Sequence, residues 1–158
     1  MERELSRSEA AEMANAIRIV LATTDKYKPQ FTHALVRNKH RLKSCVEEYS
    51  DSQKDFRNQQ REAVSEFCAK DADGNPLTKD GMFVGITPRG ICPKYDTRID
   101  SIDETERAYY REKVKIDFYE LKEEHIPTKE LAANVEDAIY FMRTCTMDSK
   151  EDTDVSMV

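Results

Sequence analysis

From Pro29 to Lys70 the chain contains no further proline and no glycine. Apolar residues recur through that stretch: Phe31, Leu35, Leu42, Val46, Tyr49, Phe56, Ala63, Val64 and Phe67. Leu35, Leu42, Tyr49, Phe56 and Ala63 stand at heptad spacing, the pattern of an apolar seam along one helix. Ser52, Gln53 and Gln60 fall near the second core position and weaken the seam in its middle. The spacing predicts one very long helix, roughly 60 Å at 1.5 Å per residue, with Pro29 in its first turn.

A shorter helix precedes it. Ser6-Arg7-Ser8-Glu9 reads as a capping box, in which a Ser hydroxyl and a Glu carboxylate satisfy each other's free backbone N–H groups. Ala10, Met13, Ala14, Ile17, Val20 and Leu21 follow at helical spacing. The helix is expected to end near Thr23-Thr24-Asp25. Folded back as a hairpin, this arm covers only the early half of the long one. Phe56, Val64 and Phe67 therefore need another cover: the C-terminal third of the chain, a second copy, or a partner. The length mismatch favours the copy or the partner, and Tyr49, Phe56, Val64 and Phe67 are the candidate partner-binding residues.

All four glycines and three of the five prolines fall between Gly74 and Pro93, which marks a composition boundary. Asp73-Gly74-Asn75-Pro76 turns the chain. Met82, Val84 and Ile86 alternate as in a short strand. Ser101-Ile102-Asp103-Glu104 reads as a second capping box, opening a short helix to about Arg111. Val114, Ile116 and Phe118 give a second strand, with the stretch from Met82 to Ile86 as its natural partner. Thr128 opens a last helix with Leu131, Val135, Ile139 and Met142 on one face. The acidic end, from Met147 to Val158, reads as a disordered tail. The expected fold is mostly α with a small α+β part. It has an N-terminal helical hairpin (1–72), a small module with a two- or three-stranded sheet and a C-terminal helix (73–146), and the tail (147–158).

The order of these parts resembles that of a widespread family of short bacteriophage proteins of unknown function. The likeness is carried by Lys70-Asp71-Ala72-Asp73-Gly74-Asn75-Pro76, by Asp80-Gly81-Met82-Phe83, and by the acidic helix that feeds the strand from Val114 to Phe118. Ile126-Pro127 and the helix with Asn134-Val135-Glu136-Asp137-Ala138 complete it. It covers about Pro29 to Met142, and the stretch from Thr87 to Asp100 is longer than the family pattern. The resemblance implies a viral origin and a small accessory role; it brings no catalytic residues with it.

The residues themselves argue against several chemistries. A net charge of −6 makes a phosphate-binding surface an exception to the chain's overall field. No apolar run approaches the length of a membrane span. The charged start, Met1-Glu2-Arg3-Glu4, lacks the apolar region of a secretory signal. Cys45, Cys68, Cys92 and Cys145 read as free thiols of a reducing compartment, since Cys45 and Cys68 share the long helix and cannot bridge. Asp71, Asp73 and Asn75 mimic the start of a calcium loop, but Pro76 and Met82 then occupy positions that need glycine and a bidentate glutamate. His33 and His40 lie two turns apart and His125 is isolated, which does not suit zinc. Glycine-rich phosphate loops are absent.

Arg37, Lys39, His40, Arg41 and Lys43 form the one basic cluster. Helical spacing spreads them around the circumference, so a solvated face is the ordinary reading; Arg37, Lys39, Arg41 and Lys43 are the candidate nucleic-acid contacts of an alternative. The leading expectation is a phage-encoded accessory protein without cofactor or enzymatic activity. It would act in the host cytoplasm, with virion association open to it, by binding a protein partner or itself. Scaffolding of virion parts and inhibition of a host enzyme or defence system both fit that description.

Overall fold

The structure is a computed structural model and describes residues 1–22 and 29–126 together with 136, 139 and 140. In chain order the elements are β1 (Glu2–Ser6), α1 (Arg7–Leu21), α2 (Pro29–Phe67), β2 (Thr78–Lys79), β3 (Met82–Phe83), α3 (Pro93–Arg111), β4 (Lys113–Asp117) and a 3-10 turn (Glu123–His125). The protein is mostly α, with one very long helix and two small two-stranded antiparallel sheets. It divides into two compact units, Met1–Glu48 with Glu112–Val158, and Tyr49–Arg111. The division falls inside α2 and not at the glycine-rich segment.

The first unit is built on the N-terminal arm. The Ser6 hydroxyl accepts the Glu9 N–H at 3.1 Å, and the Glu9 carboxylate accepts the Ser6 N–H at 3.0 Å, so the capping box forms as its sequence requires. Arg7, at the start of α1, reaches Glu48 of α2 at 3.1 Å. The short connection joins the opposite ends, Leu21 to Pro29, so the two helices run antiparallel. Ala10, Met13, Ile17 and Val20 of α1 pack with Phe31, Ala34, Leu35 and Leu42 of α2. Seven of these eight are the residues that the two helical periodicities single out, Ala34 being the addition.

The sheet of this unit departs from expectation. β4 pairs with the N-terminal strand β1, in the register Glu2↔Asp117, Arg3↔Ile116, Glu4↔Lys115, Leu5↔Val114, Ser6↔Lys113. The stretch from Met82 to Ile86 is not its partner. The physical reason lies in the alternation of β1. Leu5 is fully buried and shares its face with Val114 and Ile116, whereas Glu4 and Lys115 meet on the other face with opposite charge. Phe118, Leu121, Ile126 and Ile139 complete this core.

The second unit packs α3 against the later part of α2. Asp80 and Gly81 both take positive φ (53° and 79°), the geometry of a type I′ turn, so β3 pairs back on β2 as a two-residue hairpin. The strand pattern from Met82 to Ile86 therefore shortens to Met82–Phe83. Gly85 is needed for close approach: a Cβ there would stand 3.3 Å from the Ala69 nitrogen. The Ala69 N–H donates to the Val84 carbonyl at 2.8 Å.

The helix α3 starts at Pro93, eight residues ahead of the expected capping box at Ser101. Proline supplies the first helical position, and the Asp96 carboxylate accepts the Gly90 N–H at 2.9 Å. Tyr95, Ile99 and Ile102 place an apolar stripe on both sides of Ser101, and burying that stripe outweighs the local cap. The expected last helix, apart from Glu136, the buried Ile139 and Tyr140, and the expected tail lie outside the described residues.

Candidate functional site

The far half of α2 is covered within the chain. Phe56 is 7% exposed, its ring centroid 6.0 Å from Tyr109 and 6.1 Å from Tyr110. Tyr49 tilts against Tyr110 at 4.9 Å, and Phe67 meets Tyr95 edge-on at 6.4 Å. Val64 is half-buried. The seam passes under α3, so Phe56 is core and not an open contact surface. α3 begins earlier than its capping signal, which makes it long enough to reach Tyr49, Phe56 and Phe67 along the far half of the seam.

The basic cluster is split over two sides of α2. The Arg37 guanidinium lies 5.5 Å over the Tyr119 ring. Arg41 donates to the Asp117 carboxylate at 3.1 Å and to its carbonyl at 3.3 Å. Lys39 and Lys43, with His40, turn away from both and face α1 across a groove of about 560 Å³.

Both walls of this groove are helical. Ala11, Ala14, Asn15, Arg18 and Leu21 line it from α1, and Val36, Lys39, His40, Lys43, Val46 and Glu47 from α2. Each set follows i, i+3/i+4, i+7 spacing, so each is one continuous helix face. The floor is apolar, from the alanines, Leu21, Val36 and Val46. Val36 is 38% exposed, a large apolar side chain open to solvent beside the core. The rim is cationic. Arg18 donates to Asn15 Oδ1 at 2.9 Å, which holds the guanidinium along α1. Among the described residues, Arg18, Lys39 and Lys43 have no carboxylate within ion-pair distance. Glu47 is the one carboxylate in the lining among the described residues.

A second depression of about 270 Å³ holds Arg7, Arg41, Ser44, Cys45 and Glu48 beside β4. Its cations are engaged: Arg7 with Glu48 at 3.1 Å and Glu112 at 3.5 Å, Arg41 with Asp117. Burial pushes the Cys45 thiol up, against the pull of Arg7, which keeps it protonated and a poor nucleophile. Cys68 is buried, Cys92 is half-buried, and both are free thiols; Cys145 lies outside the described residues. Asp71 spends its Oδ1 on the N–H groups of Asp73 (2.9 Å) and Asn75 (3.0 Å), a turn-forming role. Among the described residues, no group of three His, Cys, Asp or Glu side chains is placed to hold a metal ion. Nor is any described helix long and apolar enough to cross a membrane.

No family model, curated protein or solved structure matches the chain.

The groove is the feature that sequence reasoning missed. Its signal was present: Ala14 is a small member of the apolar stripe of α1, Ala11 and Asn15 are small residues beside it, and Val36 sits one position beyond the seam residue Leu35. Small side chains on one helix and a displaced valine on the other leave a channel where the two meet.

Proposed function

We propose that the chain is a phage-encoded accessory protein that works by protein–protein contact in the host cytoplasm, without catalysis of its own. Assembly of virion parts and inhibition of a host enzyme or defence system are the two jobs that suit such a molecule. One observation carries the reading: the open apolar groove between α1 and α2, with Lys39 and Lys43 on its rim and Val36 in its floor. An exposed apolar floor with a polar rim is the ordinary anatomy of a contact site.

The test pairs the wild type with Val36→Glu as immobilised baits in host lysate, with light scattering of each in solution. A protein retained by the wild type and lost by the variant supports the reading, as does a wild-type oligomer that the variant dissociates. A partner or oligomer indifferent to Val36→Glu removes the groove from the account.

Arg37 stacked over the exposed ring of Tyr119 favours a second reading, since cation and aromatic together suit a single-stranded nucleic acid. That surface would use Arg37, Lys39, Arg41 and Lys43. It predicts retention of a labelled oligonucleotide that falls steeply with salt and is lost in Lys39→Glu with Lys43→Glu. Arg41 is already held by Asp117, and the remaining cations point two ways, so protein contact stands first.

A further inference from the structure

We infer that the groove between α1 and α2 receives an amphipathic helix with acidic flanks, supplied by a protein partner, which lies along the channel as a third helix. The inference rests on the protein-contact reading above and names the chemistry of the partner.

Shape gives the first argument. The lining runs about three turns along each of two antiparallel helices, roughly 16 Å at 1.5 Å per residue. Ala11 and Ala14 allow an incoming helix to approach α1 at the 8–10 Å or so that helix pairs adopt. Both walls are helices whose own backbone groups are paired along the helix. An incoming extended segment would find no N–H or C=O partners there and would bury unsatisfied groups. A helix satisfies its own backbone and presents apolar side chains at i, i+3/i+4 and i+7 to Val36 and the floor.

Charge gives the second. Among the described residues, Arg18, Lys39 and Lys43 line the channel against the single carboxylate of Glu47, on a chain whose net charge is −6. This local excess of positive charge complements acidic flanks and guides them here, against a field that elsewhere repels them. A second copy of the chain is disfavoured by the same charges. A two-fold contact through this channel presents the same patch from both copies, and would set Lys39 and Lys43 against their own counterparts. Nucleic acid would satisfy the rim, but its bases stack on flat aromatic rings, and the floor offers only alanine, leucine and valine side chains.

The test uses three synthetic peptides of roughly five turns. One carries leucines at i, i+3/i+4 and i+7 with glutamates on the flanks. The second replaces the glutamates by lysines, and the third scrambles the first. Fluorescence anisotropy is read with the full chain, with Lys39→Glu/Lys43→Glu, and with Val36→Glu, whose helix content and melting temperature are checked first. The acidic patterned peptide is expected to bind at least about tenfold tighter than the other two, a preference the double charge reversal abolishes or inverts. Equal affinity for the scrambled peptide, indifference to the charge reversal, or competition by an oligonucleotide overturns the inference. Failure of the peptides while a lysate partner still depends on Val36 overturns the acidic helix and spares the protein-contact reading. Tight patterned binding that Val36→Glu leaves intact overturns the groove as the site of the helix.

Discussion

Asn38 and Tyr119 exchange two hydrogen bonds: the Asn38 amide donates to the Tyr119 carbonyl at 2.9 Å, and the Tyr119 N–H donates to Asn38 Oδ1 at 2.6 Å. The side chain of a fully buried residue on α2 thereby acts as a strand neighbour for the backbone beyond β4. Leucine is its nearest apolar match in volume and would strand both backbone groups. Asn38→Leu is expected to cost about 1–3 kcal/mol, read as a lower urea midpoint with an unchanged slope. Asn38→Asp loses the donor and is expected to destabilise as well. An unchanged midpoint in both would show that water replaces the side chain without loss.

The capping box makes a prediction with a pH signature. Ser6→Ala is expected to cost roughly 0.5–2 kcal/mol. The Ser6 N–H bonded to the Glu9 carboxylate holds that group below its ordinary value of 4.5. A depressed folded-state pKa means that Glu9 stabilises at neutral pH and that the contribution is lost as pH falls through the folded pKa. The melting-temperature gap between wild type and Glu9→Gln should therefore be widest near neutrality and close in acid. A gap that widens on acidification would contradict the assignment.

Phe56 separates a core role from a contact role. Under Tyr109 and Tyr110 it is expected to behave as core: Phe56→Ala lowers stability by about 3–5 kcal/mol. Light scattering of the still-folded variant should give the same particle mass as wild type. A change of mass with little change of stability would return Phe56 to the contact surface first expected of it.

Asp71 occupies its inner oxygen with two backbone N–H groups. Calcium, zinc or a chelator should therefore leave the melting temperature within about 3 °C of the untreated value. A larger chelator-induced drop would mean that a metal is held after all.

Local and periodic signals were legible. Leu35, Leu42, Phe56 and Ala63 are all buried, as the heptad spacing requires, and α2 ends within three residues of its expected end. Partnerships at long range were not. Nothing within Glu2–Ser6 names Lys113–Asp117 as its neighbour, because strand pairing is settled by which apolar faces remain to be covered once the helices have packed. The capping motif at Ser101 misled for a related reason: two polar groups contribute less than the buried stripe of Tyr95, Ile99 and Ile102 that runs through it. Asp80-Gly81 is a different case. It is a hairpin turn signal of the strongest kind, and the weight given to alternation after it hid the hairpin before it. The candidate groove left only a faint trace, the small side chains of Ala11, Ala14 and Asn15 and the displaced Val36, because it is made by what two helices lack and a gap has no motif of its own.

The pairing of β1 with β4 also sets an order of events during synthesis. The strand Glu2–Ser6 leaves the ribosome first, and its neighbour Lys113–Asp117 follows only after all of Tyr49–Arg111 has been made. The intervening unit is one continuous stretch and can complete its contacts while the earlier segment still waits for its edge. Until then Leu5 and the apolar faces of α1 and early α2 lack the cover of Ile116, Phe118 and Leu121. A nascent chain stalled before Lys113 should accordingly be captured by chaperones through the apolar faces of β1, α1 and early α2, although Tyr49–Arg111 is already folded.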